Sequence, residues 1–127
     1  MNVLVIDDDE LNRRLLQRRL EKEDYVIQFA EDGKSALAVL KVSVPDVILL
    51  DLTLPDVSGE ELLHTMKSYE AVKDTPVILL SGKDAKTVSR IAETAGAEGW
   101  ITKPFQFDEL ICLIKNLLTE KDLQKNE

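Results

Sequence analysis

The sequence predicts an α/β domain, with one parallel sheet covered by helices on both faces. Three observations carry that reading. Short apolar runs alternate with amphipathic stretches along the chain, with no internal linker, low-complexity segment or repeat beyond that alternation. The central run, Val47 to Leu50, is apolar at every position, as in a strand buried on both faces. Polar residues close four of the runs: Asp7-Asp8, Asp51, Ser81 and Lys103. Strand ends are often polar, so any one of these is weak; together they mark a site.

The elements follow in order. Val3 to Ile6 reads as a first strand, stopped by Asp7-Asp8-Asp9-Glu10. Leu11, Leu15, Leu16 and Leu20 then recur at helical spacing, with Arg13, Arg14, Arg18 and Arg19 mostly elsewhere. Asp9 suits the start of that helix, where a carboxylate meets the positive end of the dipole. Tyr25 to Ala30 is rich in β-branched and aromatic residues and predicts a second strand. Ser35 to Lys41 predicts a short helix with Ala36, Leu37 and Leu40 inward. The central strand follows Pro45 and ends at Asp51, so a carboxylate emerges directly from the apolar core. Such a group needs a cation, a donor or solvent to compensate it.

After the loop containing Pro55, Ser58-Gly59-Glu60-Glu61 matches a capping box, and Leu62, Leu63 and Met66 form the buried stripe of the helix it opens. Pro76 to Leu80 predicts a fourth strand ending at Ser81-Gly82. Val88, Ile91, Ala92 and Ala95 predict a helix closed by Gly96. Trp100 to Thr102 is a short fifth strand before Lys103-Pro104, and Leu110, Ile111, Ile114, Leu117 and Leu118 form a last amphipathic helix. From Thr119 the chain is polar and is expected to fray.

Composition limits the function classes. A chain of 127 residues, 44% of them hydrophobic, fits one domain with a real core. Its expected extent is 1–120, with a polar tail over 121–127. A net charge of −8 disfavours direct nucleic-acid binding and anionic membranes. The single cysteine, Cys112, allows no internal disulfide and no thiolate cluster, and it is expected to be structural. No run reaches membrane-span length and no signal-peptide pattern opens the chain, so the expected location is cytoplasmic.

Open parallel sheets bind ligands beyond the carboxyl ends of their strands. Asp7, Asp8 and Asp51 fall there together. Two carboxylates about 5 Å apart at an effective dielectric of about 20 repel by roughly 3 kcal/mol. Either protons are taken up or a cation binds. Oxygen ligands favour a hard ion, and Mg²⁺ suits a few carboxylates with retained waters. One Mg²⁺ and Lys103 together neutralise the three carboxylates. An incoming phosphoryl group, carrying about −2, can then be shared among Mg²⁺, Lys103 and the Ser81 hydroxyl. Asp51, central in the sheet, is the natural nucleophile for an aspartyl phosphate.

The segments Val3-Leu-Val-Ile-Asp-Asp-Asp-Glu10, Pro45-Asp-Val-Ile-Leu-Leu-Asp-Leu-Thr-Leu-Pro-Asp-Val-Ser-Gly59, Pro76-Val-Ile-Leu-Leu-Ser81 and Ala95-Gly-Ala-Glu-Gly-Trp-Ile-Thr-Lys-Pro-Phe105 carry a family resemblance. In that order they resemble the receiver domain of two-component response regulators, of the chemotaxis-regulator kind. The resemblance covers essentially the whole chain. It implies a flavodoxin-like (βα)5 sandwich of three layers, with strand order 2-1-3-4-5. It further implies phosphoryl transfer to Asp51 from a histidine kinase or a histidine phosphotransfer protein. Asp7, Asp8 and Asp51 would hold Mg²⁺ with the backbone carbonyl of Thr53. Lys103 and Ser81 would meet the phosphoryl group, and Lys103-Pro104 would be cis.

Such a domain catalyses its own phosphorylation and slow dephosphorylation, and it signals through a downstream effector or its own dimer. The expected output face is the fourth helix, fifth strand and fifth helix. Ser81 and Trp100 would be its switch pair, with Trp100 standing where Tyr or Phe is more usual. Thr53 and Lys83 occupy positions that influence phosphoryl lifetime in the family.

Three rival functions fit these residues less well. A haloacid-dehalogenase-like phosphatase wants a second acid two residues past the nucleophile, where this chain has Thr53. A pseudo-receiver that is never phosphorylated sits poorly with a complete acidic set. A flavin-binding protein of the same fold would need a phosphate-cradling loop, and none stands out. His64 falls opposite the Leu62, Leu63 and Met66 stripe and is expected in solvent.

Overall fold

The computed structural model describes residues 1–125, the side chains of 121–125 excepted. Its elements are β1 (Asn2–Ile6), α1 (Glu10–Glu21), β2 (Val26–Ala30), α2 (Gly33–Val42), β3 (Val47–Asp51), α3 (Gly59–Ser68), β4 (Val77–Ser81), α4 (Ala85–Ala95), β5 (Gly99–Thr102) and α5 (Phe107–Lys125). The strands form one sheet in the order β2-β1-β3-β4-β5, with every pair parallel. This is the expected flavodoxin-like arrangement. Strand order reverses between β1 and β3, which fixes where a ligand crevice opens.

Side chains of a strand alternate between faces, so each strand feeds two cores. Leu4, Ile6, Ile48, Leu50 and Leu79 meet Ala36 and Leu40 of α2, Leu62, Leu63 and Met66 of α3, and Val88 and Ala92 of α4. Val3, Val5, Val47, Leu49, Ile78 and Leu80 meet Leu16 and Leu20 of α1 and Leu110, Ile114 and Leu118 of α5. Both β3 and β4 are buried along their whole length, as their unbroken apolar runs require.

Local sequence sets the helix ends. Asp9, Asp32, Ser58 and Asp84 cap α1, α2, α3 and α4 through their side-chain oxygens. Gly96 closes α4 at φ 87°, a left-handed conformation that favours glycine. The capping box at α3 is half formed. Glu61 N–H donates to Ser58 Oγ at 3.1 Å, while the reciprocal bond from Glu61 back to Ser58 is absent among the described residues.

Two further expectations differ. Leu11 and Leu15 do not share the buried face of α1: they are 65% and 43% exposed, while Leu16 and Leu20 are covered. Leucines at 11, 15, 16 and 20 span more of the helix circumference than one sheet contact covers, and Leu15 instead walls a groove with Pro104, Phe105 and Phe107. Cys112 lies on the outer side of α5, its sulfur near Asn116 Nδ2, and takes no place in the core. His64 is exposed, as expected. The polar stretch expected as a tail begins within α5, and its last residues, 126–127, lie outside the described residues.

Candidate functional site

Strand register assembles the acidic edge. Ile6 pairs with Leu50, so Asp7, one step further, stands level with Asp51, the last residue of β3. Neighbouring strands lie about 4.8 Å apart, so the two carboxylates issue from adjacent backbones. On the other side Asp51 pairs with Leu80, and Ser81 with Thr102. Lys103 N–H then donates to the Ser81 carbonyl at 2.7 Å, which carries the lysine to the same edge.

The contacts there are unequal. Lys103 Nζ lies 2.5 Å from Asp51 Oδ2 and 4.0 Å from Asp7 Oδ2. Asp51 Oδ1 accepts from Thr53 N–H at 2.8 Å, so both oxygens of Asp51 are engaged. Asp7 Oδ1 accepts from Asp9 N–H at 2.9 Å, but Asp7 Oδ2 is buried with no hydrogen-bond partner. Asp7 is only 1% exposed, and its carboxyl is held above the usual range. Burial is the main cause, and the neighbouring charges of Asp51 and Asp8 add to it. The Asp9 N–H and Lys103 pull the other way without cancelling it.

Around this pair, Asp8 is exposed on the loop after β1 and Thr53 is exposed on the loop after β3. Ser81 is buried, with its Oγ accepting from Lys83 N–H at 3.0 Å. The Lys103–Pro104 bond is cis, as expected. Arg13 Nη1 reaches from α1 to the Asp7 carbonyl at 3.0 Å and braces the loop that carries both β1 acids. Gly59 is needed where α3 starts, because a Cβ there would come within 2.6 Å of Leu52 Cα and 3.1 Å of the Asp51 carbonyl oxygen.

Chemically, the edge has a cation-shaped deficit. No three His, Cys, Asp or Glu side chains stand in metal-holding geometry among the described residues. Mg²⁺ does not require that, since it binds through one or two carboxylates and keeps several waters. The orphaned, buried Asp7 Oδ2 beside Asp51 is the feature that fits such an ion. Trp100, on β5 between buried Gly99 and Ile101, is 36% exposed and so faces outward, away from the core.

Two contributors were not evident from sequence. Sequence spacing puts Arg13 only on the polar side of α1. Asp56, in the loop after β3, accepts from Gly33 N–H at 2.9 Å and Lys34 N–H at 3.1 Å. Its partners lie more than twenty residues away, and no local pattern announces them.

Comparison with known proteins agrees with this geometry. Residues 3–115 match the family model described as "Response regulator receiver domain". The chain is 37% identical over 118 residues to the "Probable transcriptional regulatory protein TcrX" of Mycobacterium tuberculosis, covering 93% of this chain and 50% of that protein. It is 31% identical to the "Response regulator MprA" of Mycobacterium ulcerans, covering 100% of this chain and 54% of the relative. The chain thus spans about half the length of the curated relatives it matches.

Among solved structures, a CheY-like receiver domain protein from Methanospirillum hungatei superposes with a TM-score of 0.89 at 28% identity, covering 97% of each chain. The chemotaxis response regulator CheY4 of Vibrio cholerae gives 0.86 at 28% identity, covering 91% of this chain and 97% of that one. Sheet order, helix placement and a match over residues 3–115 agree: the chain belongs to the response regulator receiver domain family of two-component signalling.

Proposed function

We propose that this domain accepts a phosphoryl group on Asp51 from a phosphohistidine donor and passes the signal on by changing what it binds. The observation that carries the reading is the buried, unpartnered Asp7 Oδ2 beside the Asp51–Lys103 ion pair. The donor is a histidine kinase or a histidine phosphotransfer protein. An Asp51 carboxylate oxygen forms the new bond to phosphorus as the P–N bond to the donor imidazole breaks, and the imidazole keeps that electron pair. Hydrolysis later returns inorganic phosphate and the free carboxylate.

Asp7, Asp8, Asp51 and the Thr53 carbonyl are the group that would hold Mg²⁺, which neutralises charge at the acidic edge when bound. Lys103 and the Ser81 hydroxyl are placed to share the negative charge of the phosphoryl oxygens. Lys103 must leave Asp51 Oδ2 as that oxygen is modified, and it stays tethered near the site by its N–H bond to Ser81.

The response travels through Ser81 and Trp100 to the face formed by α4, β5 and α5. Trp100 is outward here, 36% exposed. An effector protein or a second copy of the domain binds that face. The name of the relative from Mycobacterium tuberculosis points to transcription as one class of output, delivered by a partner or by another segment of a parent protein. We place the domain in the cytoplasm; among the described residues no helix is long and apolar enough to cross a membrane.

Incubation with acetyl phosphate and MgCl₂ tests the reading. Wild-type protein is expected to take up hydroxylamine-labile phosphate, and Asp51→Asn to take up none. Equal labelling of the two would reject it, and absence of labelling from every donor would favour a pseudo-receiver.

A further inference from the structure

We infer that Asp56 is a positioning residue for the acidic edge: its carboxylate latches the loop between β3 and α3 onto the start of α2, and so holds the Thr53 carbonyl beside Asp51. The inference rests on the proposed role of that carbonyl as a metal ligand. The loop is pinned at its two ends. Leu52 N–H donates to the Leu80 carbonyl and Gly59 N–H to the Leu52 carbonyl, each at 3.1 Å. Between those ties the chain makes a six-residue excursion, and there Asp56 reaches a different element. Its Oδ1 accepts from Gly33 N–H at 2.9 Å and its Oδ2 from Lys34 N–H at 3.1 Å.

This is more than a helix cap. Helix α2 already has its own, Asp32, whose side chain accepts from Ser35 N–H at 2.7 Å. Asp56 takes the two first-turn donors that Asp32 leaves free, and a carboxylate there is favoured by the helix dipole. The approach is close on the apolar side as well. Gly33 is buried, and a Cβ on it would collide with Val57 Cγ1, so the loop closes directly on the helix start. The hydrogen bonds hold the Asp56 carboxyl below its ordinary range, consistent with a charged latch. Thr53 is three residues away on the same excursion, and its own N–H is tied to Asp51 Oδ1. With the latch closed, the entropy of fixing that carbonyl is lost on folding and need not be lost again on metal binding.

Four proteins test this: wild type, Asp56→Ala, Asp56→Asn and Asp32→Ala. Removing Asp32 weakens the same helix end but leaves the loop latched. Calorimetric titration with MgCl₂ is expected to show Asp56→Ala weakened by about three- to tenfold, at or below the low end of outer-shell effects because Asp56 is exposed. Asp56→Asn should fall between, since an amide accepts through one oxygen only. Asp32→Ala should lower the melting temperature comparably yet bind Mg²⁺ as wild type does. Amide exchange over residues 53–57, measured without metal, should quicken in Asp56→Ala and not in Asp32→Ala. Wild-type Mg²⁺ affinity in Asp56→Ala, or equal losses in the Asp56→Ala and Asp32→Ala variants, would overturn the inference. Failure of the wild type to bind Mg²⁺ would instead reject the proposed function. The exchange rates would still decide the latch: faster in Asp56→Ala alone supports it, equal rates overturn it.

Discussion

The two edges of the sheet use similar ingredients to opposite ends. At the amino edge, Lys67 Nζ meets Glu98 Oε1 at 2.5 Å, the Thr75 carbonyl at 2.8 Å and the Lys73 carbonyl at 3.3 Å. The second oxygen of Glu98 accepts from Val77 N–H at 2.7 Å, and Asn2 N–H donates to Asp46. Every lysine donor there has a partner. At the carboxyl edge one lysine faces two buried carboxylates, and one oxygen, Asp7 Oδ2, has no hydrogen-bond partner. A satisfied cluster ties strands to a helix; an unsatisfied one holds free energy that a ligand can release. The presence of charge does not separate scaffold from site. Its balance does.

Substitutions at the lysines should separate the edges most sharply. Lys103→Met removes the cation at Asp51 and should slow phosphoryl uptake from acetyl phosphate by about 100-fold, the scale seen for loss of one charge-stabilising donor. Initial rates of labelling check it, and a change of less than about threefold would return Lys103 to an ordinary structural ion pair. Lys67→Met should do the reverse. It leaves Glu98 and two carbonyls without their donor and should cost about 1–2 kcal/mol, a range kept low because the pair is partly exposed. Urea unfolding measures the loss, and the labelling rate should stay within twofold of wild type.

A smaller effect of unusual sign is expected at Asp7. Its carboxyl is raised above the ordinary range by burial and by its acidic neighbours. The folded state therefore binds a proton more readily than the unfolded chain does, and ionised Asp7 works against folding at neutral pH. Asp7→Asn should stabilise the metal-free protein by on the order of 1 kcal/mol at pH 7, once the lost attraction to Lys103 is subtracted. The gain should shrink as pH falls through the raised pKa toward the ordinary value of 3.8, because protonation relieves the wild type there. Melting temperatures across that range check the sign. A variant less stable than wild type at pH 7 would mean the lysine compensates Asp7 fully.

Much of this was legible in the chain because it is local or periodic. Unbroken apolar runs gave β3 and β4, helical spacing gave α3 to α5, and strand ends put Asp7, Asp51, Ser81 and Lys103 on one edge. Burial separated the paired acids: Asp7 went inside and Asp8 stayed out, a choice fixed by how the chain leaves β1. Leucine spacing on α1 could not say which leucines face the sheet, since Leu15 and Leu16 are neighbours in sequence yet differ in burial. The Lys67–Glu98 tie and the Asp56 latch join residues far apart in the chain, and only the fold brings them together.

Modification of Asp51 is the proposed purpose of the unbalanced edge. Borohydride reduction of protein treated with acetyl phosphate and MgCl₂, followed by peptide mass spectrometry, tests it most directly, because reduction of an aspartyl phosphate leaves homoserine at the modified position. Homoserine is expected at position 51 and at no other acid. Homoserine at Asp7 or Asp8, or none under conditions that label the protein, would contradict it.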